Sequence, residues 1–386
     1  MPEEQDVAAG RRRARVVSVI GTRPEAIKMA PVIKELEAHS SSVASYVVCT
    51  AQHREMLDQV LAIFRISPTH DLDLMLPDQS LEQITVLALQ GMQRLLQLIR
   101  PDLLLVQGDT TTTFAASLAA FYCKVPVAHI EAGLRTFERF NPYPEEVNRR
   151  LTAALSDYHF APTPLAKANL LREGVPPDRI FVTGNTVVDA LGMMAGASVD
   201  FHVNGLHGID FERERVILVT AHRRENWGEP LRNICTAIAE LVRKYEDLSV
   251  VYPVHLNPNV RRTVHHALQG LPRVHLIEPL DYLTFVGLMQ RTHLILTDSG
   301  GIQEEAPSLG KPVLVLRTTT ERPEASASGM ARIIGTRVDD IVVNVARLLD
   351  DSDLLERMSR GPNPYGDGRA AGRIVTTILK ILGVQS

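Results

Sequence analysis

Two acidic side chains in the first half of the chain follow short apolar segments, at a spacing that could serve proton transfer. Asp109 comes after the segment Leu103–Val106 and a Gln-Gly pair, and Glu131, 22 residues later, comes directly after Val127–Ile130. If these segments are neighbouring strands of a parallel sheet, about 4.8 Å apart, both carboxylates share one site. Burial and mutual repulsion would then favour a proton on one of them, as general acid–base catalysis requires. Alternatively, Asp109 could cap a helix that begins at Thr110.

Further polar residues follow apolar segments in both halves of the chain. They are Arg23 in the first half, and His222, Arg223, His255 and the segment Asp298–Gly301 in the second. In open parallel sheets, ligands bind beyond the carboxyl ends of the strands. Any one of these residues could simply begin a loop, but their recurrence in both halves predicts that they line the two walls of one cleft.

The segment Ser299–Ile302 is typical of a strand-to-helix turn that binds an anion. Gly300 and Gly301 allow close backbone approach, and the free N–H groups of a helix start suit a pyrophosphate. Glu304 and Glu305 are predicted to lie in the first turn of that helix. There they could interact with the helix dipole or accept hydrogen bonds from ribose hydroxyls.

A second helix start is predicted at Pro144. Proline at the first helical position, followed by Glu145 and Glu146, is a common arrangement that suits the helix dipole. The preceding segment Asn141–Tyr143 predicts an irregular loop that could reach into the cleft. A structural role and a role in the site therefore stay open for the two acids.

The apolar segments predict two α/β domains. They are rich in Val, Ile and Leu, nearly continuous rather than alternating, and separated by helical segments, as expected of parallel strands covered on both faces. The predicted strands are Val16–Ile20, Tyr46–Cys49, Leu103–Val106, Val127–Ile130 and Ile180–Val182 in the first half, and Val216–Thr220, Ser249–Tyr252, Val274–Ile277, Leu294–Thr297 and Val313–Leu316 in the second. Two such series imply two doubly wound, Rossmann-like domains. Among the helices, Ser80 with Gln83 three residues later predicts a capping box.

The domain boundaries follow from the same pattern. We assign residues 1–13 to a disordered tail, residues 14–190 to the first domain and residues 191–368 to the second. The remaining segment, residues 369–386, is predicted to be helical and could pack on either domain.

Composition and charge exclude several classes of protein. A net charge of -4 over 386 residues argues against a nucleic-acid-binding protein, which usually has a basic face. No apolar segment approaches the roughly 20 residues that span a bilayer. Cys49, Cys123 and Cys235 are widely spaced, which is typical of a reducing compartment. We therefore expect a cytoplasmic protein that does not associate with membranes.

The common cofactor and metal motifs are absent from the sequence. No G-x-G-x-x-G follows the first predicted strand, and no G-x-x-x-x-G-K-[ST] exists, because Pro312 follows Lys311. His129 and Glu131 resemble part of a zinc-deaminase motif, but no C-x-x-C follows them. We expect neither a nicotinamide cofactor nor a metal ion.

Ten short segments together resemble the non-hydrolysing UDP-N-acetylglucosamine (UDP-GlcNAc) 2-epimerases. They are residues 21–28 (GTRPEAIK), 52–55 (QHRE), 108–112 (GDTTT), 129–135 (HIEAGLR), 144–149 (PEEVNR), 221–226 (AHRREN), 253–258 (PVHLNP), 298–305 (DSGGIQEE), 320–324 (TERPE) and 363–368 (NPYGDG). The resemblance covers nearly the whole chain from about Val16 onward. The combination is highly specific, although the single segments are not.

The resemblance implies a glycosyltransferase-B-like fold, in which two Rossmann-like domains face each other across a cleft and the last helix returns to the first domain. It implies a homodimer that interconverts UDP-GlcNAc and UDP-ManNAc for cell-surface polysaccharide synthesis. Enzymes of this family eliminate UDP to form a 2-acetamidoglucal and add it back with the C2 proton on the other face. They need no nicotinamide, which agrees with the missing motif.

The resemblance also implies roles for individual residues. The catalytic groups would be Asp109, Glu131, Glu145 and His222. The substrate-binding positions would be Arg23 and Lys28 near the phosphates and the reacting sugar, Phe285 beside the uracil through its backbone, Ser299, Gly300 and Gly301 at the diphosphate, Glu305 at the ribose and Arg322 near the nucleotide.

Some bacterial relatives bind a second UDP-GlcNAc as an activator. The positions that match this site are Gln52, His53, Gln79, Arg223 and His255. Asp78 stands where some activated relatives have Arg, so activation stays an open alternative.

Three rival functions share the predicted fold. They are a glycosyltransferase, a hydrolysing epimerase that releases free ManNAc, and a nucleotide-sugar sensor without catalysis. A transferase would need an acceptor groove, for which the sequence offers no basic or apolar insertion. Three acids at cleft positions argue against a sensor.

Overall fold

The computed structural model describes residues 12–50, 54–74, 79–194, 201, 206–320 and 322–384. The chain forms two compact units, one with the residues up to Met193 together with those from Gly366 onward, and the other with Met194–Tyr365. Each unit is built around one parallel sheet, which confirms the predicted pair of doubly wound α/β domains.

The described residues of the first unit form seven parallel strands. They are β1 (Ala14–Ile20), β2 (Val43–Cys49), β3 (His70–Asp71), β4 (Leu103–Gln107), β5 (Val127–Ile130), β6 (Tyr158–Ala161) and β7 (Ile180–Val182), in the spatial order β3-β2-β1-β4-β5-β6-β7. The helices between them are α1 (Arg23–Ala38), α2 (Arg54–Ile63), α3 (Leu81–Ile99), α4 (Thr111–Tyr122), α5 (Glu145–Leu155), α6 (Pro164–Arg172) and α7 (Thr186–Met194). Valines and leucines of β1 and β4 form a core with α3 and α4.

The second unit repeats this plan, with six parallel strands in the part of it that the structure describes. They are β8 (Arg215–Thr220), β9 (Leu248–Pro253), β10 (Val274–Ile277), β11 (Leu294–Thr297), β12 (Val313–Val315) and β13 (Ala331–Ile333), in the order β10-β9-β8-β11-β12-β13. The helices are α8 (Glu229–Lys244), α9 (Pro258–Leu268), α10 (Tyr282–Arg291), α11 (Gly300–Ser308), α12 (Pro323–Ala327), α13 (Val338–Asp350) and α14 (Ser352–Ser359). Apolar side chains of α8, α9 and α13 pack on this sheet.

The last helix, α15 (Ala370–Ile381), packs against α1 in the first unit. Several of its apolar side chains, including Ile374 and Ile378, are fully buried. The backbone N–H groups of Ala370 and Ala371 donate to the carboxylate of Asp189 on α7, at 3.2 and 2.8 Å. A side chain 181 positions earlier in the sequence thus satisfies the free N–H groups at the start of α15.

All ten predicted strands are present, but β3, β6 and β13 were not predicted. These three are only two to four residues long and include polar side chains, so they show no continuous apolar run. The strand predicted to end at Leu316 ends at Val315.

The capping box predicted at the start of α3 is confirmed. The Ser80 N–H donates to Gln83 Oε1 at 2.9 Å, and the Gln83 N–H donates to Ser80 Oγ at 3.3 Å. Of the predicted tail, residues 1–11 lie outside the described residues. Arg12 bonds to Asp102 at 2.6 Å, and Arg13 bonds to the carbonyl oxygen of Ser40 at 3.3 Å.

Candidate functional site

Asp109 and Glu131 lie at the same edge of the first sheet, as their spacing predicts. The preceding strands β4 and β5 are adjacent and parallel, with Gln107 opposite Ile130. Each acid follows its strand at the carboxyl end, where parallel sheets bind ligands.

Glu131 is held in an unusual backbone conformation. Its φ of 65° lies in the left-handed region, which a non-glycine residue rarely adopts. The side chain is buried against an ion pair with Lys28, and the amide nitrogen of Asn185 donates to the same carboxylate oxygen, Oε2, at 3.0 Å. Backbone strain of this kind costs about 1–3 kcal/mol and occurs preferentially at functional sites.

A buried arginine fixes the carboxylate of Asp109. Arg149 Nη1 donates to Asp109 Oδ2 at 2.6 Å, and Arg149 Nη2 donates to Glu146 Oε2 at 2.7 Å. The helix cap of α4 is Thr110, whose Oγ1 accepts from the N–H of Thr113 at 3.1 Å. The alternative role of Asp109 as that cap is therefore wrong, because the cap lies one residue later.

The two acids at the start of α5 have different surroundings. The helix begins at Glu145 with Pro144 as its N-cap, so the prediction of proline at the first helical position is wrong by one residue. Glu146 is almost completely buried and accepts from the backbone N–H groups of Thr136 and Phe137 at 3.0 and 3.2 Å. It therefore holds the preceding loop, whereas Glu145 is only half-buried.

Glu25 is a buried acid that the sequence analysis did not assign to the site. Its Oε2 accepts from the N–H groups of Gly21 and Thr22 at 2.9 and 2.6 Å, and its Oε1 accepts from the hydroxyls of Thr110 and Thr113 at 2.7 and 2.8 Å. Burial raises the pKa of Glu25. The signal that could have found it is the spacing Thr22-x-x-Glu25, which forms a capping box on α1.

Arg23 and Lys28 both lie on α1, which Glu25 fixes at its start. Half-buried Arg23 makes no hydrogen bond or ion pair with any residue that the structure describes, so its guanidinium is available to an anion. Lys28 instead pairs with Glu131.

A buried histidine joins the two strand ends. His129, the third residue of β5, bonds through Nε2 to the carbonyl oxygen of Gly108 at 2.7 Å. Burial lowers the pKa of His129 to about 3, so its ring is neutral at neutral pH. The turn that carries Asp109 is therefore tied to the strand that Glu131 follows.

In the second unit, a fully buried Asp298 organises the polar residues after β8. Its Oδ2 accepts from the backbone N–H groups of His222 and Arg223, both at 2.9 Å, and from Asn226 Nδ2 at 3.0 Å. The His222 ring stacks on His255 with 5.1 Å between centroids. Burial lowers the pKa of His222, which outweighs the opposing effect of Asp298. The imidazole is therefore neutral near pH 7.

The turn after β11 has the predicted form of an anion site. Ser299 is the N-cap of α11, and its hydroxyl makes no hydrogen bond within the described part of the chain. The helix begins at Gly300 and continues through Gly301, and its first N–H groups have no side-chain partner among the residues that the structure describes. A diphosphate fits such an arrangement because both the N–H groups and the helix dipole favour negative charge.

Glu304 and Glu305 do not lie in the first turn of α11, so that prediction is wrong. The helix begins at Gly300, which places them in its second turn. Glu304 is fully buried and accepts from Arg322 Nε at 2.6 Å. Arg322, predicted near the nucleotide, is thus held in a buried ion pair, and Glu305 is also buried.

The remaining predicted positions are spread over both units. Phe285 lies in the first turn of α10, where its N–H donates to the carbonyl oxygen of Asp281 at 3.0 Å and so is not available to a base. Gln79 donates to the carbonyl oxygen of Leu74 at 2.7 Å. Gln52, His53 and Asp78 lie outside the described residues.

No group of three or more His, Cys, Asp or Glu side chains in the described ranges could hold a metal ion. Over the same ranges, no helix has both the length and the apolar character of a bilayer span.

The chain is similar to known proteins over nearly its whole length. The family model described as UDP-N-acetylglucosamine 2-epimerase matches residues 34–379. The UDP-N-acetylglucosamine 2-epimerase of Neisseria meningitidis is 53% identical over 370 residues, which cover 95% of this chain and 99% of that protein.

Two solved structures share the fold. The crystal structure of the Neisseria meningitidis enzyme bound to UDP-GlcNAc has a TM-score of 0.91 at 53% identity, covering 95% of this chain and 100% of that one. The Methanocaldococcus jannaschii enzyme in complex with UDP-GlcNAc and UDP has a TM-score of 0.81 at 33% identity, covering 95% and 99%.

Proposed function

The chain belongs to the UDP-N-acetylglucosamine 2-epimerase family of isomerases, and from this premise we propose that it interconverts UDP-GlcNAc and UDP-ManNAc. The observation that carries the proposal is the pair of acids at adjacent strand ends, Asp109 and Glu131. Each of them is held by a buried cation, Arg149 or Lys28. The relative from Neisseria meningitidis, crystallised with UDP-GlcNAc, supports the substrate.

The proposed reaction begins with elimination. The C1–O bond of the sugar breaks, and its electron pair leaves with UDP. As positive charge grows at C1, the C2 proton becomes acidic and passes to a carboxylate. The electrons of the C2–H bond form the C1=C2 double bond of 2-acetamidoglucal. UDP then adds back at C1 while an acid delivers a proton to the opposite face of C2. The overall reaction is not a redox change, so it consumes no hydride acceptor.

We assign the proton transfers to the first unit and the diphosphate to the second. Asp109, Glu131 and half-buried Glu145 supply the acid and base groups. Neutral His222 and the N–H groups at the start of α11 would offset the charge that develops on the departing UDP. Arg23, whose guanidinium has no partner within the described residues, adds a cation for the same charge.

The deciding experiment uses UDP-GlcNAc as the only substrate, in heavy water. We expect deuterium at C2 and the appearance of UDP-ManNAc, both followed by NMR. A glycosyltransferase would leave C2 unlabelled, and a hydrolysing epimerase would release free sugar in step with UDP. A sensor would bind the nucleotide sugar without any turnover. Each of these three results would overturn the proposal.

We expect Glu131→Gln to bind UDP like the parent but to lose turnover by about a hundredfold or more, the usual scale for an acid–base group. The matched control is Glu138→Gln, because Glu138 is an exposed acid seven positions later. Calorimetry with UDP and the isotope assay measure the two properties separately. Near-normal turnover in Glu131→Gln would remove this residue from the mechanism.

A second UDP-GlcNAc bound as an activator is a separate proposal. The candidate residues in the described ranges are Gln79, Arg223 and His255. Initial rates with UDP-ManNAc alone test it, because an activated enzyme stays slow until a trace of UDP-GlcNAc is added. Equal initial rates with and without that trace would show that UDP-GlcNAc does not activate the enzyme.

We also propose that the enzyme works as a homodimer in the cytoplasm and supplies a precursor of cell-surface polysaccharide. Light scattering at micromolar concentration tests the oligomeric state, and a single species of 42.7 kDa would contradict the dimer.

A further inference from the structure

Asn185 is a buried polar residue to which the sequence motifs assigned no role. It lies between the edge strand β7 and helix α7, and its side chain contacts the carboxylate of Glu131, 54 positions earlier in the sequence. Asn185 Nδ2 donates to Glu131 Oε2 at 3.0 Å, and Asn185 Oδ1 accepts from the backbone N–H of Val187 at 3.1 Å.

The second of these bonds fixes the orientation of the amide. A backbone N–H can only donate, so the oxygen of the Asn185 amide must face Val187. The NH₂ group must then face Glu131, and because it too can only donate, Glu131 Oε2 must accept. The ammonium group of Lys28 donates to the same oxygen. Two N–H donors therefore occupy both lone pairs of Glu131 Oε2, which leaves none of them for a proton.

The other oxygen of the Glu131 carboxylate, Oε1, remains available for proton transfer. Glu131 Oε1 makes no hydrogen bond with any residue in the described ranges, although the residue as a whole is only 8% exposed. The left-handed backbone of Glu131 and the bonds to Oε2 together restrict the side chain to one position. Oε1 is therefore the oxygen that can take up a proton.

Helix α7 holds Asn185 in place from its other side. Asp189, one turn further along α7, accepts the N–H groups at the start of α15. The segment that carries Asn185 is thus fixed at the sheet edge and at the C-terminal helix. Its amide can donate to Glu131 without losing side-chain entropy at the moment of reaction.

We propose that Asn185 is a positioning residue for the epimerase reaction, which holds Oε2 of Glu131 and so leaves Oε1 as the oxygen that accepts the proton. This inference rests on the proposed function. The competing view is that Asn185 only stabilises the start of α7 through Val187.

The substitution Asn185→Asp separates the two views. The new carboxylate can still accept from the N–H of Val187, but it faces Glu131 with an acceptor instead of a donor. Like charges favour protonation, so the acid limb of the pH profile of kcat/KM should move up by about one pH unit or more. At neutral pH, kcat should fall about 10- to 100-fold, with KM changed less than about twofold. Asn185→Ala removes the donor without adding a charge. It should therefore also move the acid limb of the pH profile to higher pH, but by a smaller amount than Asn185→Asp.

The matched control is Asn169→Asp. Asn169 is also buried in the first unit, and its Nδ2 donates to the carbonyl oxygen of Gly133 at 2.9 Å rather than to a carboxylate. We expect this variant to lose stability while it keeps the pH profile of the parent. If Asn185→Asp behaves in the same way, Asn185 has only a structural role and the inference is wrong.

A titration of the enzyme without substrate tests this inference separately from the proposed function, because it does not depend on turnover. The carboxyl carbon of Glu131, labelled with ¹³C and assigned through Glu131→Gln, is titrated by NMR in the parent and in Asn185→Asp. The titration midpoint should move to higher pH in the variant, and an unchanged midpoint would overturn the inference. A parent that leaves C2 of UDP-GlcNAc unlabelled in heavy water would instead overturn the proposed function.

Discussion

At the scale of single residues, buried cations place the acids of the first unit. Arg149 is 2% exposed and contacts the carboxylates of both Asp109 and Glu146, and Lys28 pairs with Glu131. Only arginine can form two such bonds in one plane, because its guanidinium is a rigid fork of donors. The position of Asp109 therefore depends on a residue that does not itself need to meet the substrate.

We expect Arg149→Met to lower the free energy of unfolding by about 3–5 kcal/mol, because it leaves the buried carboxylate of Glu146 without its cation. Turnover should fall as well, since Asp109 loses the bond that orients it. Arg150→Met is the control, because Arg150 is the next residue on α5 and its side chain is 60% exposed. Urea denaturation measures both variants, and equal midpoints would contradict the role of Arg149.

At the scale of elements, the register of the first sheet decides which side chains meet. Strands β5 and β6 are parallel neighbours, with His129 directly opposite His159. Both rings are buried, and burial lowers the pKa of His129 to about 3 and that of His159 to about 4. Two neutral imidazoles therefore lie on neighbouring strands, and that of His129 bonds to the turn that carries Asp109.

We expect the free energy of unfolding to fall as the pH drops from 7 to 5. An unfolded histidine takes up a proton near a pKa of about 6.5, whereas these two stay neutral in the folded state. The unfolded state thus binds more protons over this range, and each histidine removes about 1–2 kcal/mol of stability at pH 5. Urea denaturation between pH 5 and pH 7 measures this effect. In His159→Gln, the free energy of unfolding should depend less steeply on pH than in the parent. The control His70→Gln, at a partly exposed position on β3, should keep the slope of the parent. If the free energy of unfolding depends on pH in both variants as it does in the parent, buried His159 does not cause the loss of stability.

At the scale of the whole molecule, the chain leaves the first unit once and returns to it. Residues from Gly366 onward belong to the first unit, although the second unit precedes them in sequence. The last helix, α15, contributes buried apolar side chains to the first unit and supports α7 through Asp189. The fold of the first unit is therefore complete only when the C-terminal segment is in place.

We expect Ile378→Ala to destabilise the first unit by about 2–5 kcal/mol, the usual cost of a cavity at a fully buried isoleucine. Hydrogen exchange followed by mass spectrometry should show faster exchange in β1 and α1 but not in β8 and α8. Lys380→Ala, two positions later on the exposed face of α15, should change neither. Faster exchange confined to the second unit would contradict the placement of this helix.

The sequence by itself determined the two doubly wound sheets and the strand ends at which Asp109, Glu131 and Ser299 lie. Apolar runs and helix starts are local patterns, so they predict elements wherever several neighbouring residues agree. Strands β3, β6 and β13 were missed because two to four mixed residues carry too little of that pattern.

Only the tertiary structure decided which side chains hold the acids. Arg149 lies 40 positions from Asp109, and Asn185 lies 54 positions from Glu131. It also placed Thr110, not Asp109, at the cap of α4, and moved Glu304 into a buried pair with Arg322. Such contacts arise when distant segments pack together, and no pattern of neighbouring residues specifies which buried donor will meet which carboxylate.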